Sequence, residues 1–209
     1  MKDLYVMTAD SDAQALVKAL LRRSRELRIR PVSAEVERLT SRDSGMMKEG
    51  PEIARAMVRK SEYSRLILIW DHHGSGWDNR PADQATAQIQ TRLDGVTWLD
   101  RSAAVVIVPE LEEWLWHCPA GVARCLGAKA AELETSIDRA AARLKRSREH
   151  CRRELPKELF ENVVYDRKRR KPLPGDFDAI GCYANLARWE TSDTFARLAE
   201  ILRAWFPPQ

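Results

Sequence analysis

Acidic side chains stand where the apolar runs of this sequence stop. Leu4 to Thr8 (LYVMT) is followed by Asp10 and Asp12, and Leu66 to Trp70 (LILIW) by Asp71. Ala103 to Val108 (AAVVIV) leads into Pro109 and Glu110, with Glu112 and Glu113 close behind. Carboxylates brought together repel one another, and a hard divalent cation with oxygen ligands relieves the repulsion. Mg²⁺ or Mn²⁺ held in this way can orient water and neutralise charge building on a phosphate. Asp10, Asp71 and Glu110 are therefore the candidate metal ligands, with Asp12 and Glu113 as further candidates. Strand-end acids also serve as turn formers and caps, and at this level that plainer role stays open.

Two of the four histidines follow one of these acids directly, in Asp71-His72-His73-Gly74-Ser75-Gly76. His73 could act as a metal ligand or as a general base near neutral pH. Asp71, His73 and Glu110 thus form the candidate catalytic set, with His72 beside them. The loop glycines admit close approach of a ligand, but the loop lacks the Lys-Ser/Thr of a P-loop and the spacing of a Rossmann turn. His117, Cys118 and Cys125 fit no standard zinc spacing. No nucleophile elbow or triad motif is present. Trp77, in the same loop, could stack on a base or a partner surface. Trp114, Trp116, Trp189 and Trp205 read as core or interface anchors.

The elements that must position these residues are three strands alternating with helical periodicity. Asp10 or Ser11 would cap a helix carrying Ala15, Leu16, Ala19 and Leu20. Residues 30–39 hold room for a short strand, residues 40–50 read as turn-rich, and Pro51 reads as a helix start leading to Ile53, Ala54, Met57 and Val58. Beyond Pro109 the pattern is helical, with a long helix through Leu133 and Leu144 ending before Pro156. Phe160 to Asp166 reads as one more strand, and Asp193 to Phe206 as a closing amphipathic helix. The fold class expected is α/β, a compact, mostly parallel central sheet flanked by helices. One domain is expected over 1–209, with a sheet-bearing core at 1–116 and a mainly helical part at 117–209. In such sheets ligands gather at the carboxyl ends of the strands, which is where the acids fall.

Composition bounds the rest. With 209 residues, 44% hydrophobic and 32% charged, the chain can bury a real core and is not disordered. No apolar run approaches the roughly 18 residues of a membrane span. The first residues show no secretory pattern, and the four cysteines show no CxxC spacing. A soluble, cytoplasmic protein with reduced thiols is expected. The net charge is +4, but basic residues crowd 143–153 and again Arg167, Lys168, Arg169, Arg170 and Lys171. A local cationic face attracts phosphates, so the second run is the candidate nucleic-acid contact. A solvated helix face and a basic loop are the plainer alternative.

Several elements together resemble a bacterial family found in antiphage islands, of the methylation-associated defence system type. They are Thr8-Ala9-Asp10, Arg42-Asp43-Ser44-Gly45, the Asp71-to-Gly76 loop, Pro109-Glu110-Leu111-Glu112-x-Trp114-x-Trp116, and the ending through Trp205-Phe206-Pro207. The resemblance implies a defence context and other subunits as partners, and it adds Arg42 and Asp43 to the site candidates. The topology and acidic strand ends also resemble Toprim domains of topoisomerases, primases and overcoming-lysogenisation-defect nucleases. Such domains hold Mg²⁺ through an early glutamate and a later Asp-x-Asp. Here Asp10 stands in place of the glutamate and His73 in place of the second aspartate, so the resemblance implies a Toprim-like but degenerate core. The leading expectation is a metal-dependent nuclease of a defence system. The alternative is a non-catalytic subunit that binds a partner protein or invader component. A nucleotide sensor built on the glycine loop is a third reading.

Overall fold

Four parallel strands, β1 (Lys2–Thr8), β2 (Ala34–Arg38), β3 (Tyr63–Asp71) and β4 (Ser102–Ile107), lie in the order β2-β1-β3-β4. They belong to a computed structural model that describes residues 1–39, 42–57 and 62–208. The apolar runs are continuous because both faces of the sheet are covered. Leu4, Val6, Ile67, Ile69, Val105 and Ile107 enter one core cluster, and Tyr5, Met7, Leu66, Leu68, Trp70 and Val106 enter the other. β2 (AEVER) is an outer strand with a single buried side chain, Val36, which is why its sequence signal is weak.

The helices divide between the faces as the strand order requires. The chain leaves β1 through α1 (Ser11–Leu21) and the short α2 (Ser24–Leu27) for β2. It then crosses back through α3 (Arg42–Met57) to β3 and through α4 (Ala82–Leu93) to β4. Crossovers of one hand running in opposite directions put helices on opposite faces. Leu16 and Leu20 of α1 accordingly sit in the first cluster, and Met46 of α3 and Ile89 of α4 in the second. The direction reverses between β1 and β3, where an open α/β sheet has its crevice.

The remaining helices join the α1 face. They are α5 (Glu112–Trp116), α6 (Pro119–Leu126), α7 (Ala130–Leu144), α8 (Arg148–Glu154), α9 (Pro156–Lys168), α10 (Pro174–Tyr183), α11 (Leu186–Trp189) and α12 (Asp193–Trp205). Trp114, Phe160, Phe177, Trp189 and Phe195 share one core with Leu4 and Ile67, and edge-on pairs such as Trp114–Phe195 at 5.3 Å lock the helices together. The helical part is therefore packed onto the sheet.

Three local expectations are corrected. Phe160 to Asp166 is not a strand but lies inside α9, because Leu159, Phe160, Val163 and Val164 recur at helical spacing and are all buried. The segment 42–50 is not a turn region, and Pro51 sits inside α3 rather than at its start. Proline removes the hydrogen bond to the carbonyl four residues earlier, and here Arg92 Nη1 of α4 donates to that Met47 carbonyl instead. The long helix stops at Leu144, and α8 is a separate element before Pro156. Thr40, Ser41 and Val58 lie outside the described residues.

α10 rests on α1 at a glycine. A Cβ on Gly181 would stand 2.7 Å from Ala19 Cβ and 3.1 Å from Leu16 Cδ1. Gly181→Ala is expected to destabilise the protein by about 1 kcal/mol, overpacking outweighing the gain in helix propensity. Urea denaturation measures this, and an unchanged or raised midpoint would show that the two helices tolerate separation. Among the described residues no helix is long and apolar enough to cross a membrane, and all four cysteines are free thiols.

Candidate functional site

The strand register delivers the predicted acids to one rim. Thr8 lies opposite Ile69 and Asp71 opposite Ile107, so Asp10 and Asp71 end neighbouring strands at one level and Glu110 follows from the next. Neighbouring strands are about 4.8 Å apart, which keeps all three within one crevice. Asp10 is the N-cap of α1, its Oδ1 accepting from the Asp12 and Ala13 N–H groups at 2.9 and 2.7 Å. Asp43, in the first turn of α3, accepts from the Asp71 N–H at 2.9 Å and ties that helix to the end of β3. Asp71 itself is buried and shares side-chain parity with Ile67 and Ile69, the face covered by α5 and α9.

Two further residues complete the cluster from the helical part. Glu112, the first residue of α5, is buried. Lys157, in the first turn of α9, brings Nζ to 3.7 Å from Glu110 Oε1. His73 Nδ1 approaches the same Glu110 oxygen at 3.5 Å, while its ring remains 57% exposed. The other oxygen, Glu110 Oε2, is buried with no hydrogen-bond partner. Leaving a carboxylate oxygen in that condition costs free energy unless a cation or proton reaches it.

Charge repulsion and burial act together on these groups. Burial is the main cause lifting Asp71 well above the usual carboxylate range, followed by Glu112, Asp43, Asp10 and Glu110 as negative neighbours. Burial likewise pushes Glu112 up to about 8, and Asp12 up to about 6 with Asp10 as its next cause. Asp43 and Glu110 are raised by burial too, with Lys157 opposing both shifts. Lys157 is held above its ordinary value because Glu112, Glu110, Asp71 and Asp10 outweigh its own desolvation. Divergent proton affinities in one crevice mark a candidate functional site.

Other predicted residues stand elsewhere or are already engaged. Glu113 turns away from the rim to pair with His117 and to accept from Ser192 Oγ at 2.7 Å. His72 is spent on the loop itself, with Nε2 at 2.9 Å from the Arg80 carbonyl. Arg80 lies over the Trp77 ring at 4.2 Å and covers the face expected to stack on a ligand. The zinc trio does not converge, since Cys118 Sγ accepts from the Asn185 N–H and Cys125 Sγ lies against Asp176. Within the basic run, Arg167 pairs with Glu132 at 3.2 Å and Arg170 grips Asp176 through two bonds of 2.6 and 2.7 Å. Lys168, Arg169 and Lys171 remain exposed. The side chain of Arg42 lies outside those described.

No family model, curated protein or solved structure matches the chain. Among the described residues no three His, Cys, Asp or Glu side chains stand together in an arrangement ready to hold a metal ion. The rim nevertheless suits a hard cation chemically: its donors are carboxylate oxygens plus one imidazole, and Glu110 Oε2 is a buried acceptor without a partner. Glu112 and Lys157 were not among the sequence candidates for the site. Glu112 did follow Glu110 by two residues, but nothing distinguished its burial from the half-exposure of Glu113.

Proposed function

We propose that this protein is a divalent-metal-dependent nuclease of a bacterial antiphage defence system, built on a degenerate Toprim-like core and working in the cytoplasm. The observation that supports this best is the rim of carboxylates at the carboxyl ends of β1, β3 and β4, half-buried at Asp10 and buried at Asp71 and Glu110, with Glu110 Oε2 unpartnered. Asp10, Asp71 and Glu110 would hold Mg²⁺ or Mn²⁺, which when bound supplies charge neutralisation at a phosphate and a more acidic water. His73, exposed and within 3.5 Å of Glu110, would take a proton from water or return one to a leaving oxygen. Lys157 offers a compact positive charge to a phosphate oxygen at the same rim. Lys168, Arg169 and Lys171 are the exposed cations left to meet the nucleic-acid backbone, a contact with steep salt dependence and little sequence preference.

One observation favours a second reading: His72, Glu113, Arg167 and Arg170, all site candidates, are already engaged within the chain. On that reading the protein is a non-catalytic subunit of a defence complex that binds a partner protein or invader component. Cleavage of plasmid DNA and structured RNA with Mn²⁺, Mg²⁺ or EDTA separates the two. The nuclease reading expects metal-dependent cleavage, abolished by EDTA and lost in Asp71→Ala and Glu110→Gln. Absence of cleavage by folded wild-type protein in either metal would sink it and leave the binding subunit.

A further inference from the structure

β4 is an outer strand of the sheet, and although its residues are buried, a slot runs along part of its free edge. In a parallel ladder, alternate residues turn N–H and C=O toward the same neighbour. The Arg101 carbonyl accepts from the Leu66 N–H at 2.9 Å and the Ile107 carbonyl from the His72 N–H at 2.8 Å. Residues 101, 103, 105 and 107 therefore face β3, and Ser102, Ala104 and Val106 face outward. Gln90 of α4 covers the first half of this outward row. Its Oε1 accepts from the Ala104 N–H at 3.1 Å, and its Nε2 reaches the Ser102 carbonyl at 3.4 Å. Among the described residues neither a backbone nor a side-chain group bonds the Val106 N–H, and Val106 is 9% exposed beside Val108 at 40%.

A slot of about 860 Å³ runs along this edge between α4 and α12. Its walls are small and apolar, with Ala87 from one helix, Ala104 and Val106 from the strand, and Ile201 and Ala204 from the other helix. The mouth is acidic: Asp83, Asp100, Asp193 and Glu200 line it against the single cation Arg197, which itself lies 4.0 Å from Glu200. Open strand edges are ordinarily shielded, as Gln90 shields half of this one. A half whose outward N–H has no partner among the described residues, beside a slot with an apolar floor and a charged mouth, has the form of a strand-addition site.

We infer that this slot receives an extended segment of a partner protein, apolar at its centre and flanked by lysine or arginine, which adds to β4 as a fifth strand. Main-chain bonds to Val106 supply the pairing, the small walls accept the apolar centre, and the acidic mouth selects the basic flanks. A second copy of this chain is a poor fit. β4 (SAAVVI) brings one flanking cation, Arg101, against the flanking acids Asp100 and Glu110, and the opposite edge strand β2 (AEVER) brings two glutamates against one arginine.

The test uses a fluorescein-labelled peptide, Lys-Lys-Val-Thr-Val-Lys-Lys, its glutamate-flanked counterpart, and a version N-methylated through the Val-Thr-Val backbone. Anisotropy at low salt reads binding, and amide exchange reads the Val106 N–H. The expected result is saturable binding of the lysine peptide with slowed exchange at Val106. N-methylation should abolish it, and Asp83→Lys with Glu200→Lys should weaken it about tenfold. Both substitutions sit on exposed helix positions, so folding is retained, and the N-methylated peptide tests the pairing without altering the protein. Equal binding of the glutamate or N-methylated peptide, or no change at Val106, overturns the inference. So does a self-associated protein in sedimentation whose Val106 amide is already protected without peptide, because the occupant is then a second copy.

Discussion

At pH 8, Glu112→Gln is expected to melt about 10 °C above the wild-type protein, and near pH 4 the two are expected to melt together. Burial carries the Glu112 carboxyl from its ordinary 4.5 up to about 8. A carboxyl that holds its proton more tightly folded than unfolded contributes its stability in full below the unfolded value and loses it as pH rises toward the folded one. Ionising Glu112 inside the protein therefore costs roughly 4 kcal/mol by pH 8, and the neutral amide, close in size and shape, removes that cost. Asp71 is shifted in the same direction with Glu112 as its foremost charged neighbour, so the substitution also relieves Asp71. The check is calorimetry on both proteins from pH 4 to 8 in chelated buffer. Parallel profiles would show that Glu112 is ionised and compensated across the whole range.

Most of the sheet was legible because the central stretches of β1, β3 and β4 are buried on both faces and are continuous apolar runs. The rim was legible for the same reason: a charged residue directly after such a run must sit at a strand end, as Asp10, Asp71 and Glu110 do. What stayed hidden depends on where later elements fold. Lys157 belongs to α9, and only the packing of Phe160 against Trp116 and Phe177 carries that helix's first turn to the crevice. α9 was itself misread in part, because Val163-Val164-Tyr165 has strand propensity that the spacing of Leu159, Phe160, Val163 and Val164 overrides. The basic run misled in another way. Composition showed five adjacent cations, but two of them are already paired, Arg167 with the exposed Glu132 and Arg170 with the buried Asp176.

Lys157→Met is expected to lower stability by about 2–3 kcal/mol at pH 7.5 in chelated buffer, with millimolar Mg²⁺ or Mn²⁺ restoring most of the loss. Removing one partner from a buried charge cluster leaves the others uncompensated, at a cost that can reach about 3–5 kcal/mol. The smaller figure applies here because the Lys157 side chain is 47% exposed and water screens part of its charge. Lys157 opposes the raised proton affinity of Asp12, Asp43, Glu110 and Glu112, so without it those groups repel more strongly and take up protons more readily. A divalent cation bound at the same rim replaces the missing charge and stabilises the folded state by mass action. Thermal melts of Lys157→Met against metal concentration measure this, with NaCl at matched ionic strength as the control for general screening. Rescue by Mg²⁺ or Mn²⁺ and not by NaCl would establish that the strand-end carboxylates take a cation. Equal rescue by all three would mean that the rim is only a repelling cluster held by Lys157, and the surface contacts of a binding subunit would then carry the function.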